Sequence, residues 1–169
     1  MSKENCFLLL GETGKGKSSL TKILSENEEV KIGNSLKSET QETTAYDCEY
    51  AGFKYCLIDN PGYNDSNNND KKNYAHIKQI LTNNLYSIKG IVLLFSFQET
   101  RFGISHKNGL EKIVNLMPLD NFWDYFILVF TFYYYDDDDE LIEKRKEKLK
   151  DFENTFNIFF SAFNKTKNI

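Results

Sequence analysis

Gly11-Glu12-Thr13-Gly14-Lys15-Gly16-Lys17-Ser18 is the stretch on which the reading of this chain turns. It fits G-x-x-x-x-G-K-[ST] at every position. The glycines let the backbone curl until its N–H groups point inward, making a concave anion site. Lys17 offers a point charge to the terminal phosphates, and the Ser18 hydroxyl is of the type that binds magnesium. A helix opening at Ser18 and Ser19 aims its positive dipole end at the same place. A glycine turn that only reversed the chain would have no use for the lysine.

The flanks agree with this reading. Phe7-Leu8-Leu9-Leu10 is a short apolar run of the buried parallel-strand type. Ser18 to Ser25 carries Leu20, Ile23 and Leu24 at helical spacing. Glu26 to Thr43 is polar and aperiodic, a loop. Thr44 to Tyr50 and Phe53 to Ile58 are extended stretches about Ala51-Gly52, a hairpin turn. Asn60 to Asn73 is a second polar loop, and Tyr74 to Leu85 a helix. Gly90 to Phe97 is a buried strand, Ser105 to Leu116 a helix stopped by Pro118, and Phe126 to Thr131 a further strand. Glu140 to Phe156 is a helix rich in Lys and Glu, and Ile158 to Phe163 a last strand. The alternation implies one α/β domain over 1–169: a mostly parallel six-stranded sheet with one antiparallel strand and helices on both faces. On this assignment the chain stops where a final helix would start, as in a shortened form of the domain.

A second element complements the phosphate loop. Cys56-Leu57-Ile58 runs into Asp59, and Asn60-Pro61-Gly62 follows, 42 residues beyond Lys17. An aspartate at such a strand end holds magnesium, usually through water. The Gly62 N–H can then bond a γ-phosphate, so that the loop senses it.

Two stretches, G-E-T-G-K-G-K-S-S and D-N-P-G-Y-N-D, resemble the first and third boxes of the AIG/GIMAP immunity-associated GTPases, relatives of the septins and the chloroplast Toc GTPases. Val92-Leu93-Leu94-Phe95 leading into Gln98-Glu99-Thr100-Arg101-Phe102-Gly103 is similar to that family's own box between the third and fourth motifs. The resemblance runs from Phe7 to about Lys167. It implies a P-loop GTPase fold, a GTP/GDP ligand with Mg2+, slow hydrolysis, and homodimerisation through the nucleotide face. It places a switch threonine at Thr40, 19 residues before Asp59, with Thr43 and Thr44 as alternatives. Its metal set is then Ser18, Thr40 and Asp59.

Some positions depart from the pattern. The carboxylate that selects guanine is expected where Tyr134 stands; Asp136 reaches the base only if the loop bulges. Tyr133 and Tyr134 either stack on the purine or pack against a neighbour. Ser161-Ala162-Phe163-Asn164-Lys165 resembles the fifth box and makes Asn164 a base-side residue. Tyr63 replaces the glutamine that positions water in Ras-like proteins. Arg101 either turns the strand into the helix or reaches a partner's phosphate. Asp136 to Asp139 complements a helix dipole.

Composition narrows the classes. A net charge of -4 argues against a nucleic-acid partner. Cys6, Cys48 and Cys56 lie in or beside apolar runs without C-x-x-C spacing and read as buried thiols. His76 and His106 carry no ligand pattern in the sequence, and no zinc site is assigned. No apolar run nears the ~20 residues of a membrane helix, so the chain reads as cytoplasmic. Three functions stand at this level: a GTP-loaded switch, a P-loop ATPase or kinase, and a nucleotide-binding scaffold with degenerate base choice. The hairpin before Asp59 disfavours the kinase, whose sheet runs parallel there.

Overall fold

A computed structural model describes residues 3–30, 43–63, 70–82, 86–99, 101–116, 122–134 and 138–167. Five strands, β1 (Lys3–Leu10), β2 (Thr44–Tyr50), β3 (Phe53–Asp59), β4 (Tyr86–Ser96) and β5 (Phe126–Thr131), form one sheet in the order β2-β3-β1-β4-β5. β1 pairs in parallel with both β3 and β4, and β4 with β5. β2 alone is antiparallel, hydrogen-bonded to β3 with Thr44 opposite Asp59. The hairpin turns on Ala51 and Gly52, both at positive φ (49° and 80°), the pattern that matches the twist of the flanking strands.

The helices are α1 (Lys17–Ser25), α2 (Asp70–Thr82), α3 (Ile104–Val114) and α4 (Asp139–Lys167). Alternation along the central strands splits the core between the two faces of the sheet. Leu8, Leu10, Ile58, Leu93 and Phe95 pack with Ile77 and Ile80 of α2, Leu110 and Ile113 of α3, and Phe152 and Phe156 of α4. Leu9, Leu57, Val92 and Leu94 point to the other face, where Leu20 of α1 packs on them. Helices therefore cover both faces, three on one side and α1 on the other. The three cysteines are free and buried, and burial pushes the Cys56 thiol up to about 12.

The sheet has five strands among the described residues, where the sequence reading gave six. The stretch 158–163 continues α4, which runs unbroken for 29 residues. Phe152, Phe156 and Phe159 recur at i, i+4 and i+7, and all three pack on the core. That spacing, set in a run of good helix formers, outweighs the β-propensity of Ile158, Phe159 and Phe160. The expectation of a last strand with the final helix absent is accordingly corrected: the described residues end in one long helix.

β1 is the switch point of the sheet, because its neighbours lead off in opposite directions. Ligands of open α/β sheets bind at the carboxyl ends of the strands beside such a point. The turn after Leu10 is flanked there by the ends of β3 and β4.

Candidate functional site

The glycine-rich turn closes on itself with Gly14 and Gly16 both at φ 82°, a conformation that side chains resist. Gly16 caps α1, and Lys17 is buried in its first turn. The Lys17 ammonium donates to the carbonyls of Gly11 and Glu12 at 3.0 Å each. Burial pulls this amine down to about 8, against the opposing pull of Asp59 and Glu12. Asp59 is also buried; burial lifts its carboxyl above the usual range, offset in part by the Ser18 hydroxyl and the Lys17 charge. Its Oδ1 has no hydrogen-bond partner among the described residues. Asp59, remote in sequence, thus meets Lys17 and Ser18 beneath the loop. Hard oxygen donors beside a cation, one of them orphaned, fit a magnesium-bound phosphate.

The loop after Asp59 is locked to the glycine-rich turn. The Tyr63 N–H donates to Gly11 O (3.4 Å), and the Thr13 N–H donates to Tyr63 O (3.3 Å). A Cβ at residue 62 would stand 2.5 Å from the Thr13 nitrogen and 2.6 Å from its hydroxyl, so only glycine fits there. Buried Asn73 of α2 donates to Gly62 O at 2.7 Å, and buried Asn60 donates to Leu9 O. The Tyr63 ring is 1% exposed and stacks on Tyr74, in no position to do a glutamine's work.

A second cluster braces the loop from the β4 side. The Lys15 ammonium lies 2.5 Å from Glu99 Oε1, and His106 Nε2 is 3.1 Å from the same oxygen. Ser105 donates to Glu12 Oε1 at 2.6 Å. Burial pushes the Glu99 carboxyl up, but the hydrogen bonds from His106 and Lys15 outweigh it and hold it at about 2. Glu12, Glu99 and His106 offer ligand atoms within 4.8 Å of one another. The proton pattern opposes a metal there. His106 Nδ1 accepts the Gly103 N–H at 3.1 Å, which leaves the neutral ring's proton on Nε2, the nitrogen facing the carboxylates. Lys15 already supplies the cation.

On the remaining side Thr131, at the end of β5, donates to Lys15 O (2.9 Å) and Phe95 O (3.1 Å). Phe132 follows at φ 55° and turns the chain. Tyr133 packs edge-on to Phe97 with Arg145 over its ring. Tyr134 is 65% exposed and its hydroxyl is bonded by Gln98 at 3.3 Å.

Gly11 to Ser19, Asp59 and Gly62 therefore converge. Thr40 and Asp136 lie outside the described residues. Thr44 sits opposite Asp59, and the Thr43 hydroxyl is buried without a partner among the described residues. Asn164 lies on α4 and not in a loop after a sixth strand, because that segment is helical. Arg101 is exposed, and its neighbour Phe102 is the one buried at the turn. The sequence reading missed Glu99, Ser105, His106 and Thr131 as loop-bracing residues. Glu99 stood in the quoted stretch between the third and fourth boxes, but nothing local tied it to Lys15.

The model of the AIG1 family matches residues 5–168. The chain is 36% identical over 103 residues to GTP-binding protein A of Dictyostelium discoideum, an alignment that covers 59% of this chain and 22% of that protein. The fold is similar to that of Toc33 from Arabidopsis thaliana in complex with GDP and Mg2+, with a TM-score of 0.72 at 18% identity, covering 93% of this chain and 63% of Toc33. It is also similar to a dimerisation-deficient Toc33 mutant, with a TM-score of 0.67 at 20% identity over 90% of this chain and 67% of that one. A third structure, with a TM-score of 0.66 at 21% identity, covers 88% of this chain and 60% of that one; it is described by the importance of dimerisation for the GTPase activity of two chloroplast translocon components. The chain spans about a fifth of the length of the curated relative and about two thirds of the Toc33 structures.

Proposed function

The chain belongs to the AIG1 family, and on that footing we propose that it is a magnesium-dependent GTP-binding switch with slow hydrolysis. The observation that carries this reading is the meeting of Lys17, Ser18 and Asp59 under a glycine-rich turn whose neighbour is Gly62. Lys17, buried and bonded among the described residues to loop carbonyls, is poised to exchange them for phosphate oxygens, which bind it more strongly because they are charged. Magnesium, when bound by Ser18 and Asp59, would neutralise charge between the phosphates. Gly62, its carbonyl held by Asn73, would direct its N–H to a γ-phosphate, and Thr40 would complete the metal's oxygens. Loss of the γ-phosphate would release both loops.

Hydrolysis is slow in this reading because the residue after Gly62 is a ring buried against α3. Homodimerisation through the nucleotide face is part of the same reading; what supports it is the dimerisation of the structurally similar chloroplast translocon components, for whose GTPase activity dimerisation is important. The antiparallel β2–β3 pair weighs against a kinase. The setting proposed is the cytoplasm; no described helix is long and apolar enough to cross a membrane.

Calorimetric titration with GTP, GDP and ATP in magnesium tests the reading. Wild type binds the guanine nucleotides, and Lys17→Ala loses that binding. Ser18→Asn loses the metal hydroxyl and shifts preference to GDP. Undiminished GTP affinity in Lys17→Ala refutes the site.

A further inference from the structure

We propose that the Thr13 hydroxyl reads the γ-phosphate directly and is the side chain by which this site tells GTP from GDP. This rests on the nucleotide-binding reading above and adds a residue to it. Thr13 Oγ1 is buried and has no hydrogen-bond partner among the described residues. Buried hydroxyls are nearly always paired, so an unpaired one calls for an explanation. Of the hydroxyls around the turn, Ser18 bonds Asp59 and Thr131 bonds the carbonyls of Lys15 and Phe95, while those of Thr43 and Tyr63 share with Thr13 the lack of a partner among the described residues.

The position of Thr13 supplies the explanation. Its hydroxyl lies against Gly62, 2.6 Å from where a Cβ at that residue would be, and its backbone N–H is spent on Tyr63 O. What Thr13 has left to offer is the hydroxyl, which lies beside Gly62, the residue read above as sensing the terminal phosphate. The next residue along cannot compete for the role, because the Tyr63 ring is buried and packed on Gly109 of α3. A hydroxyl donating to a phosphate oxygen makes a charge-assisted bond. GDP has no oxygen at that place to accept it. The gain is therefore confined to the triphosphate.

The test is the ratio of affinities for a non-hydrolysable GTP analogue and for GDP, measured by calorimetry in magnesium for wild type, Thr13→Val and Thr13→Ser. Valine keeps the shape and removes the hydroxyl; serine keeps the hydroxyl. The ratio is expected to fall about tenfold in Thr13→Val and to stay near wild type in Thr13→Ser. An unchanged ratio in Thr13→Val, including the case where both affinities drop together, overturns the assignment and leaves Thr13 a packing residue. Failure of wild type to bind either nucleotide overturns the binding reading itself, and this assignment with it.

Discussion

The ring of Tyr63 fills the notch that Gly109 leaves in α3: a Cβ at residue 109 would lie 2.4 Å from Tyr63 Cε2. This contact ties the loop after Asp59 to the helix that also carries Ser105 and His106. Glycine inside a helix costs about 1 kcal/mol relative to alanine, and here the close approach of the ring accounts for it. The ring gains apolar contact, yet its hydroxyl is buried without a partner among the described residues. Burial pushes that phenol far above its ordinary range.

Tyr63→Phe should therefore stabilise the protein. Removing an unpaired buried hydroxyl recovers on the order of 1 kcal/mol or more. Urea denaturation will show a higher midpoint with an unchanged slope. Gly109→Ala should do the opposite, by roughly 1–3 kcal/mol of overpacking against the same ring. A destabilised Tyr63→Phe would mean that the hydroxyl has a partner after all.

Nucleotide affinity should fall as pH rises above about 8. Burial lowers the Lys17 amine to about 8 in the free protein, while phosphate favours its charged form. The bound pKa is then the higher of the two. Binding is fully supported below the free pKa and weakens as pH climbs from there toward the bound one. Titrations between pH 7 and 9.5 measure this, with Lys17→Arg, which cannot lose its proton, as the flat control.

Glu99→Gln should lower the melting temperature at neutral pH by removing the charge that Lys15 and His106 face. The Glu99 carboxyl is held at about 2, below the ordinary 4.5. Its contribution is thus complete above 4.5 and disappears as pH falls toward 2. The gap between variant and wild type should close across that window. A gap that persists unchanged at low pH would show that shape, not charge, is what Glu99 supplies.

The course of α4 can be checked by alanine substitution. Phe152→Ala and Phe156→Ala should each cost about 3–5 kcal/mol, since both rings lie in the core. Ile158→Ala should cost under about 0.5 kcal/mol, because that side chain is 71% exposed on the helix. A strand over 158–163 would bury every second residue instead, and a large loss at Ile158 would point to it.

Base choice should be weaker than in a site that holds a carboxylate. Tyr134 is exposed and bonded to Gln98, and Tyr133 is packed between Phe97 and Arg145. With a tyrosine and not a carboxylate at position 134, little penalises the wrong base. GTP should bind ahead of ATP by a modest margin, and inosine triphosphate nearly as well as GTP. Abolished GTP binding in a folded Asp136→Ala would instead give Asp136 the carboxylate's role.

Gly11 to Ser18 announced its conformation locally, because a phosphate loop is built from consecutive residues whose φ values and N–H directions are set by the glycines themselves. The strand ending in Asp59 and the Ala51-Gly52 hairpin were legible for the same reason. The sequence alone therefore determined the P-loop, the antiparallel pair and the alternation of strands and helices. Tertiary structure decided what meets the loop. β1 lies between β3 and β4, and this brings Gly62 and Tyr63 to one side of the turn and Glu99 to the other. The Lys15–Glu99 ion pair and the packing of Thr13 on Gly62 have no local signature, since each joins residues dozens of positions apart. The end of the chain was misread because phenylalanine and isoleucine favour strands when only neighbours are weighed. The core selected the i, i+4, i+7 face that Phe152, Phe156 and Phe159 make only in a helix.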